Sequence, residues 1–458
     1  MSEPGGETAG PDLVVAGAGG GLAGALRAAE LGLDVLVVEV NEHFAQGNNT
    51  AMSTAMVPGA GSRWQREAGI EDSPDQFVAD IAAKTNGEAD EVLARALAEV
   101  SAPLVEWLAD NVGLPLSLVT DFDYPGHSRR RCHTVPGRAG RALLQDLIRA
   151  HRRNPHIELM VPARLVEVLS DDAGVRGVVV ESGGRREEIP TKALLLATNG
   201  YGADRNLVAT HMPEIASAVY HGSEASRGDA LRLGQALGAR TGYLDAYQGH
   251  AALAMPAATL AGWATVMHGA VLVDRHGHRF GDETTGYSEY ASEVIKHADG
   301  AAWIVLDQRI DELCRPFQDY LDTRDSGAVR WADDLGGLAA AVGIDAGGLA
   351  ETLDDCARTA RGDQADRFGR QSWEAPLGPP YAAIAVRPAL FHTQGGLVVD
   401  AGAQVLHESG SPIPGLYAAG GAAAGISGHG AGGYLAGNGL LPALGLAYLA
   451  AESVAAHR

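Results

Sequence analysis

A chain of 458 residues that is 46% hydrophobic can bury one large core and a second lobe, so one to three domains are expected. A formal net charge of -22 excludes sequence-independent nucleic-acid binding, which needs a basic face to displace counterions, and the run Arg129-Arg130-Arg131 reads as a solvated loop. The three cysteines, Cys132, Cys314 and Cys356, form no CxxC pair, so neither a zinc site nor a disulfide framework is expected and a reducing cytoplasm fits.

Met1-Ser2-Glu3-Pro4-Gly5-Gly6 shows no basic region followed by an apolar run, so a secretory signal is not expected. Leu13-Val14-Val15-Ala16 is a buried-strand run that leads into Gly17-Ala18-Gly19-Gly20-Gly21-Leu22-Ala23-Gly24. A helix from Ala25 to Leu31 and a strand Val35-Leu36-Val37-Val38 ending on Glu39 complete a dinucleotide-binding βαβ unit. In such a unit backbone amides and the helix N-terminus hold the pyrophosphate, and an acid such as Glu39 accepts from the ribose hydroxyls. Two glycine registers stay open, one starting with Ala16 and Ala18, the other with Gly17 and Gly19.

Gln46-Gly47-Asn48-Asn49-Thr50-Ala51-Met52-Ser53 follows, then a helical stretch from Pro74 to Leu108 and a Pro/Gly loop through Tyr124-Pro125-Gly126-His127. Apolar strands from Ile157 to Val180 lead to the strand and turn Ala193-Leu194-Leu195-Leu196-Ala197-Thr198-Asn199-Gly200. From 247 to 374 the texture changes, with helices at Glu289 to Ala298 and Leu335 to Val342 among short strands. Its most apolar segment, Ala251 to Val273, contains Pro256, Gly262 and His268, which argues for a buried wall and against a membrane span. His276-Gly277-His278 reads as a hairpin turn, and no metal site is expected. Pro414-Gly415-Leu416-Tyr417-Ala418-Ala419-Gly420 is a further strand, and the glycine-rich stretch Gly425 to Gly433 precedes an apolar helix opened by Asn438-Gly439-Leu440-Leu441.

Several of these segments, with Arg279-Phe280-Gly281-Asp282-Glu283-Thr284-Thr285-Gly286-Tyr287 and Gly433-Tyr434-Leu435-Ala436-Gly437-Asn438, resemble the fumarate reductase/succinate dehydrogenase flavoprotein family from about Asp12 to Ala451. The resemblance implies an α/β fold: a Rossmann-like FAD-binding domain of the glutathione-reductase type, residues 1–246 and 375–458, with an inserted α+β capping domain, residues 247–374. It implies an FAD held by Gly17, Ala18, Gly19, Gly20, Gly21, Glu39 and Val40, by Asn48, Asn49, Thr50, Met52 and Ser53, by Ala197, Thr198 and Asn199, and by Gly420, Asn438, Gly439, Leu440 and Leu441. Asn49 stands where succinate dehydrogenases carry the histidine bonded to flavin, so the FAD is expected to be non-covalent.

The same alignment gives Tyr287 and Tyr434 where fumarate reductases keep arginine, and the three positions of their proton relay read Tyr287, Trp263 and Val266. A phenol cannot replace a bidentate guanidinium on a carboxylate, so a dicarboxylate is not the expected substrate. The two substrate-binding histidines persist as His250, in Tyr247-Gln248-Gly249-His250, and His392, in His392-Thr393-Gln394-Gly395-Gly396. Paired tyrosines resemble instead the 3-ketosteroid dehydrogenases of the same superfamily. That resemblance implies Tyr287 as base and Tyr434 as carbonyl donor, helped by the Gly437 amide, with Tyr124, Trp263 and Gln394 in the substrate pocket. On residue type alone these tyrosines and histidines would be ordinary packed side chains.

The expected activity is therefore an FAD-dependent dehydrogenase forming a C=C bond beside the carbonyl of an apolar, cyclic ketone. Its alternatives are a fumarate-reductase-like enzyme of carboxylic acids, with charge from Arg387 or another arginine, and a flavin-binding redox protein without turnover. The electron acceptor is left open among oxygen, a quinone and a redox protein.

Overall fold

The computed structural model describes residues 10–458, so the reading of Met1 to Gly6 lies outside the described residues. Leu13–Ala16 and Val35–Val38 are buried throughout and pair in parallel, Leu13 with Val35 through Ala16 with Val38. Unbroken β-branched and leucine runs of this kind suit a parallel sheet covered on both faces. Ile157–Met160 adds beyond Val35–Val38, Leu194–Leu196 and Pro412–Ala418 add in parallel on the other side, and Gln404–Leu406 closes that edge antiparallel. Arg164–Asp171, Gly174–Ser182 and Arg185–Pro190 form a separate antiparallel sheet.

The first helix runs Gly21–Glu30, starting earlier than the expected Ala25. Its glycines meet the C-terminal helix Leu440–Ala456, where a β-carbon on Gly20 would lie 2.7 Å from Ala443 Cβ and one on Gly24 2.8 Å from the Ala447 carbonyl oxygen. Glycine inside a helix costs about 1 kcal/mol relative to alanine, and here close helix packing offsets it.

The expected helical stretch from Pro74 to Leu108 consists of two helices, Pro74–Lys84 and Glu91–Trp107. The Thr85 hydroxyl donates back to the Ile81 carbonyl, and Asn86 and Gly87 turn left-handed with φ 53° and 78°, which stops the first helix. Asp90 then caps the second by accepting from Leu93 N–H at 2.9 Å. The arginine run is a solvated loop only in part. Arg129 and Arg130 are exposed, but Arg131 is fully buried, bidentate on Asp72 at 2.9 and 3.0 Å and bonded to Asp80 at 2.5 Å. Two acids distant in sequence make that burial tolerable.

Contacts group the described chain into two compact units, the first ending at Asp204 and resuming at Gly222–Ala246 and His392–Arg458, the second formed by Arg205–His221 and Tyr247–Phe391. Residues 375–391, expected with the FAD-binding part, group with the second unit because Tyr381–Thr393 is its central strand, flanked by Ala302–Asp307 and also paired by Val219–Tyr220 and Val329–Ala332. In the same unit, helix Tyr287–His297 packs on strand Tyr247–Ala254, and Leu335–Val342 is helical as expected. No helix among the described residues is long and apolar enough to cross a membrane.

Candidate active site

The turn after the first strand is built for close backbone approach. Gly17 has φ 110°, and a β-carbon there would lie 2.3 Å from the Ala197 carbonyl oxygen, so the turn rests against the end of strand Leu194–Leu196. Ala18 N–H donates to the Glu39 carboxylate at 2.8 Å and Asn41 N–H donates to its other oxygen at 2.8 Å. Burial raises the Glu39 pKa, and the backbone donors offset only part of that. Gly20 caps and Gly21 opens the first helix, so Ala18 and Gly19 lie at its N-terminus, where its positive end favours an anion.

Asn48 and Thr50 converge on the same turn: a β-carbon on Gly19 would lie 3.0 Å from Thr50 Oγ1 and 3.3 Å from Asn48 Nδ2. Asn48 Oδ1 caps the short helix Asn49–Met52 through Ala51 N–H, which leaves its Nδ2 to point elsewhere. Ser53 Oγ donates to the Thr50 carbonyl, Asn49 Oδ1 accepts from Ser223 N–H at 2.7 Å, and Met52 is exposed. Thr198 follows Ala197 at the end of its strand, and Asn199 turns left-handed with φ 65°.

An FAD is tested by what these residues leave unsatisfied. Asn48 Nδ2, Thr198 Oγ1 and Asn438 Oδ1 are buried side-chain atoms without a hydrogen-bond partner among the described residues. Such atoms cost about 1–3 kcal/mol each unless something pairs them. All three belong to segments expected to wrap the cofactor, beside a bare helix N-terminus and an acidic strand end, so the residues present fit FAD. Gly420 (φ 61°) packs on Ala443 in the C-terminal helix, whose first residues Leu440 and Leu441 follow Gly439.

The first unit also gathers a neutral polar cluster. Asn438 Nδ2 donates to Ser427 Oγ at 3.0 Å, Ser427 donates to Gln394 Oε1 at 2.9 Å, and Gln394 Nε2 stands 3.1 Å from His392 Nδ1. His392 Nδ1 also lies 3.2 Å from the Thr393 carbonyl oxygen, so this nitrogen faces both an amide donor and a carbonyl acceptor. Burial pulls the His392 pKa down to about 4, so the ring is neutral at pH 7. Tyr434 meets this ring edge to face, and Gly437 is bent left-handed with φ 92° where a β-carbon would lie 2.4 Å from Pro58. Tyr124, on the preceding loop, points its hydroxyl at Met56 Sδ, 3.2 Å away.

In the second unit Tyr287 opens helix Tyr287–His297 after Gly286, with φ 141°. His250 stacks between rings, 4.8 Å from Tyr287 and 5.2 Å from Phe391, and Trp263 meets it edge-on at 5.9 Å. His250 Nδ1 accepts from Ala252 N–H at 3.1 Å, so its proton is on Nε2, and burial pulls its pKa down to about 3. Trp263 Nε1 is buried without a partner among the described residues.

Arg279 anchors the Arg279–Tyr287 segment within the second unit. It bonds Glu283 at 2.9 and 2.7 Å and Asp366 at 2.6 Å, while Arg370 reaches Glu283 at 3.4 Å and the Ala270 and Val266 carbonyls at 2.9 and 2.8 Å. Burial opposes the Arg279 charge, but the two carboxylates hold its pKa above the ordinary value. Glu283 fixes the turn before Tyr287, and Arg370 fixes the short helix Ala264–Met267 after Trp263. Phe391 and Ser427 were not singled out in the sequence. Phe391 adjoins His392, and Ser427 lies within a stretch whose only visible signal was glycine.

Comparison with known proteins agrees with this cofactor assignment. The NADH:fumarate oxidoreductase of Klebsiella pneumoniae (strain 342) is 29% identical over 93% of this chain, which spans 46% of that protein's length. The 4-oxocyclohexanecarboxylate 2-dehydrogenase of Sinomonas cyclohexanicum is 28% identical over 97% of this chain and 92% of its own. The crystal structure of 3-ketosteroid-Δ4-(5α)-dehydrogenase from Rhodococcus jostii RHA1, bound to 4-androstene-3,17-dione, superposes with a TM-score of 0.76 at 25% identity over 98% of both chains. Residues 12–440 match the family described as FAD binding domain, and the chain belongs to that family of FAD-dependent oxidoreductases.

Proposed function

We propose that this protein is a dehydrogenase that forms a C=C bond beside the carbonyl of an apolar cyclic ketone. The observation that carries the reading is that both candidate clusters are built from neutral groups: His250 contacts the rings of Tyr287, Phe391 and Trp263, and His392 contacts Tyr434 and Gln394. With pKa values of about 3 and about 4 these histidines are uncharged at pH 7 and offer N–H donors, which suit a ketone oxygen better than a carboxylate. Two relatives support the class, since one is named for a 4-oxocyclohexanecarboxylate and the other was solved with a steroid ketone.

In this reading the ketone oxygen accepts from Tyr434 and from the Gly437 amide, which stabilises the developing enolate and acidifies the α-carbon. Tyr287 accepts the α-proton. It acts as the phenolate, from its place at the first turn of Tyr287–His297. FAD, when bound, supplies the two-electron oxidant that accepts the β-hydrogen with its electron pair. The substrate thus loses two hydrogens and becomes an enone. Asn49 cannot form the histidyl bond to flavin, so the cofactor is held without a covalent link. Reoxidation falls to oxygen, a quinone or a redox protein, and the three buried free thiols suit a reducing compartment such as the cytoplasm.

The relative named a fumarate oxidoreductase favours a second reading, reduction of an unsaturated acid. The arginine offered for it, Arg387, is exposed and donates to the Gly300 carbonyl at 3.2 Å. Anaerobic mixing with saturated cyclic ketones, ketosteroids and succinate-type acids separates the two. Ketones should bleach the visible flavin band and yield an enone, whereas bleaching by acids alone would overturn the desaturase reading.

A further inference from the structure

The loop that carries Tyr124 ends in a buried relay that the proposed chemistry has not used. Arg131 is held by Asp72 and Asp80, and its Nη1 stands 3.1 Å from His127 Nδ1. Because a guanidinium only donates, Nδ1 accepts and the proton of His127 sits on Nε2. That Nε2 lies 3.0 Å from the carbonyl oxygen of Ala436 and donates to it. Burial, then the adjacent Arg131 charge, lowers the His127 pKa to about 4, which keeps the ring neutral at pH 7.

Ala436 is joined to Gly437 by a trans peptide, so the Ala436 oxygen and the Gly437 N–H point in opposite directions from one rigid plane. Fixing the oxygen therefore fixes the amide. The flanking groups are already engaged, with Asn438 N–H donating to Leu435 and the Gly437 carbonyl accepting from Leu441 N–H. No acceptor for Gly437 N–H is found among the described residues. The loop itself is shaped for this approach: Gly126 has φ 82°, and a β-carbon there would lie 2.6 Å from Leu435 Cδ2.

We infer that His127 is a positioning residue: braced by Arg131, it holds the Ala436 carbonyl and so aims the Gly437 amide at the substrate's carbonyl oxygen. This rests on the ketone-desaturase reading, in which Gly437 N–H is one of two donors to that oxygen. An aimed donor acts before reaction and costs no reorganisation, whereas a peptide free to rock loses part of that benefit.

The test compares holoenzyme with His127→Leu, which removes the donor, and His127→Gln, whose side-chain amide can still donate from the Nε2 position. Flavin content and melting temperature are recorded for each. The readouts are kcat/KM for the best saturated cyclic ketone and the C=O stretching frequency of bound 2-cyclohexen-1-one, a probe of carbonyl polarisation. His127→Leu should lower kcat/KM by on the order of ten- to a hundredfold and lose part of the C=O red shift, and His127→Gln should restore both to within about threefold of wild type. His127→Leu protein with full FAD, unchanged kcat/KM and unchanged C=O frequency would overturn the inference, as would His127→Gln behaving like His127→Leu. Wild-type protein that neither oxidises ketones nor shifts the probe would overturn the parent reading and this inference together.

Discussion

Tyr434 and His392 meet edge to face, with ring centroids 5.9 Å apart and planes at 70°, and Gly439 is bare where a β-carbon would lie 2.9 Å from His392 Nε2 and 3.7 Å from the Tyr434 hydroxyl. The hydroxyl and His392 Nε2 therefore share one neighbourhood. Tyr434→Phe keeps the ring pair and removes only the O–H. The expected result is a fall in kcat/KM for the ketone by about 10²–10³-fold, the scale of losing one oxyanion donor, with FAD still bound. Steady-state kinetics check it, and a loss under about threefold would remove Tyr434 from that role.

Acid should weaken the fold through its buried histidines. His127, His133 and His392 have pKa values lowered to about 4, and His250 to about 3, all by burial first. The unfolded chain takes up these protons near pH 6.5, so between there and about 4 the unfolded state binds more protons and stability falls as pH drops. Above about pH 6.5 this contribution is complete. Melting temperature measured from pH 7.5 to 4.5 should decline progressively below 6.5, and a flat profile would contradict neutral burial.

Glu283→Gln tests the buried ion cluster. It removes the carboxylate shared by Arg279 and Arg370 and leaves both guanidinium groups buried. Breaking such a network by one partner costs about 3–5 kcal/mol. Thermal or urea unfolding should show that loss, and a variant as stable as wild type would show that Asp366 and the backbone carbonyls suffice.

Gly17→Ala should impair the cofactor turn, because φ 110° disfavours any side chain and the new β-carbon would lie 2.3 Å from a backbone oxygen. The flavin-to-protein ratio of the purified variant is the readout, with a marked fall expected. In wild type, acid precipitation should release all the flavin to the supernatant. A yellow pellet would mean a covalent bond despite Asn49.

Much of the first unit is legible in sequence because its strands are short and wholly apolar between polar or glycine residues, as at Leu13–Ala16, followed by Gly17, and Val35–Val38, between Asp34 and Glu39. The break between Lys84 and Glu91 divides the helical stretch where Thr85-Asn86-Gly87 carries the stop signal, and apolar periodicity resumes after it. Arg131 reads in sequence as one of three surface charges because its partners, Asp72 and Asp80, lie 59 and 51 residues away. Long-range pairing leaves no local trace. The candidate tyrosines and histidines stood out only through family resemblance, whereas their ring contacts, tautomers and supporting hydrogen bonds needed coordinates.

In the proposed reaction Tyr287 takes the proton as a ketone is oxidised. Tyr287→Phe preserves the stack on His250, where the rings lie 4.8 Å apart and 20° from parallel, so the variant changes chemistry more than packing. The decisive measurement is anaerobic stopped-flow reduction of the bound flavin by a saturated cyclic ketone in wild type and Tyr287→Phe. Rapid bleaching is expected in wild type, with a rate lower by about 10²–10⁴-fold in the variant with full FAD content. Equal rates in the two proteins, or bleaching of wild type by succinate-type acids but by no ketone, would contradict it.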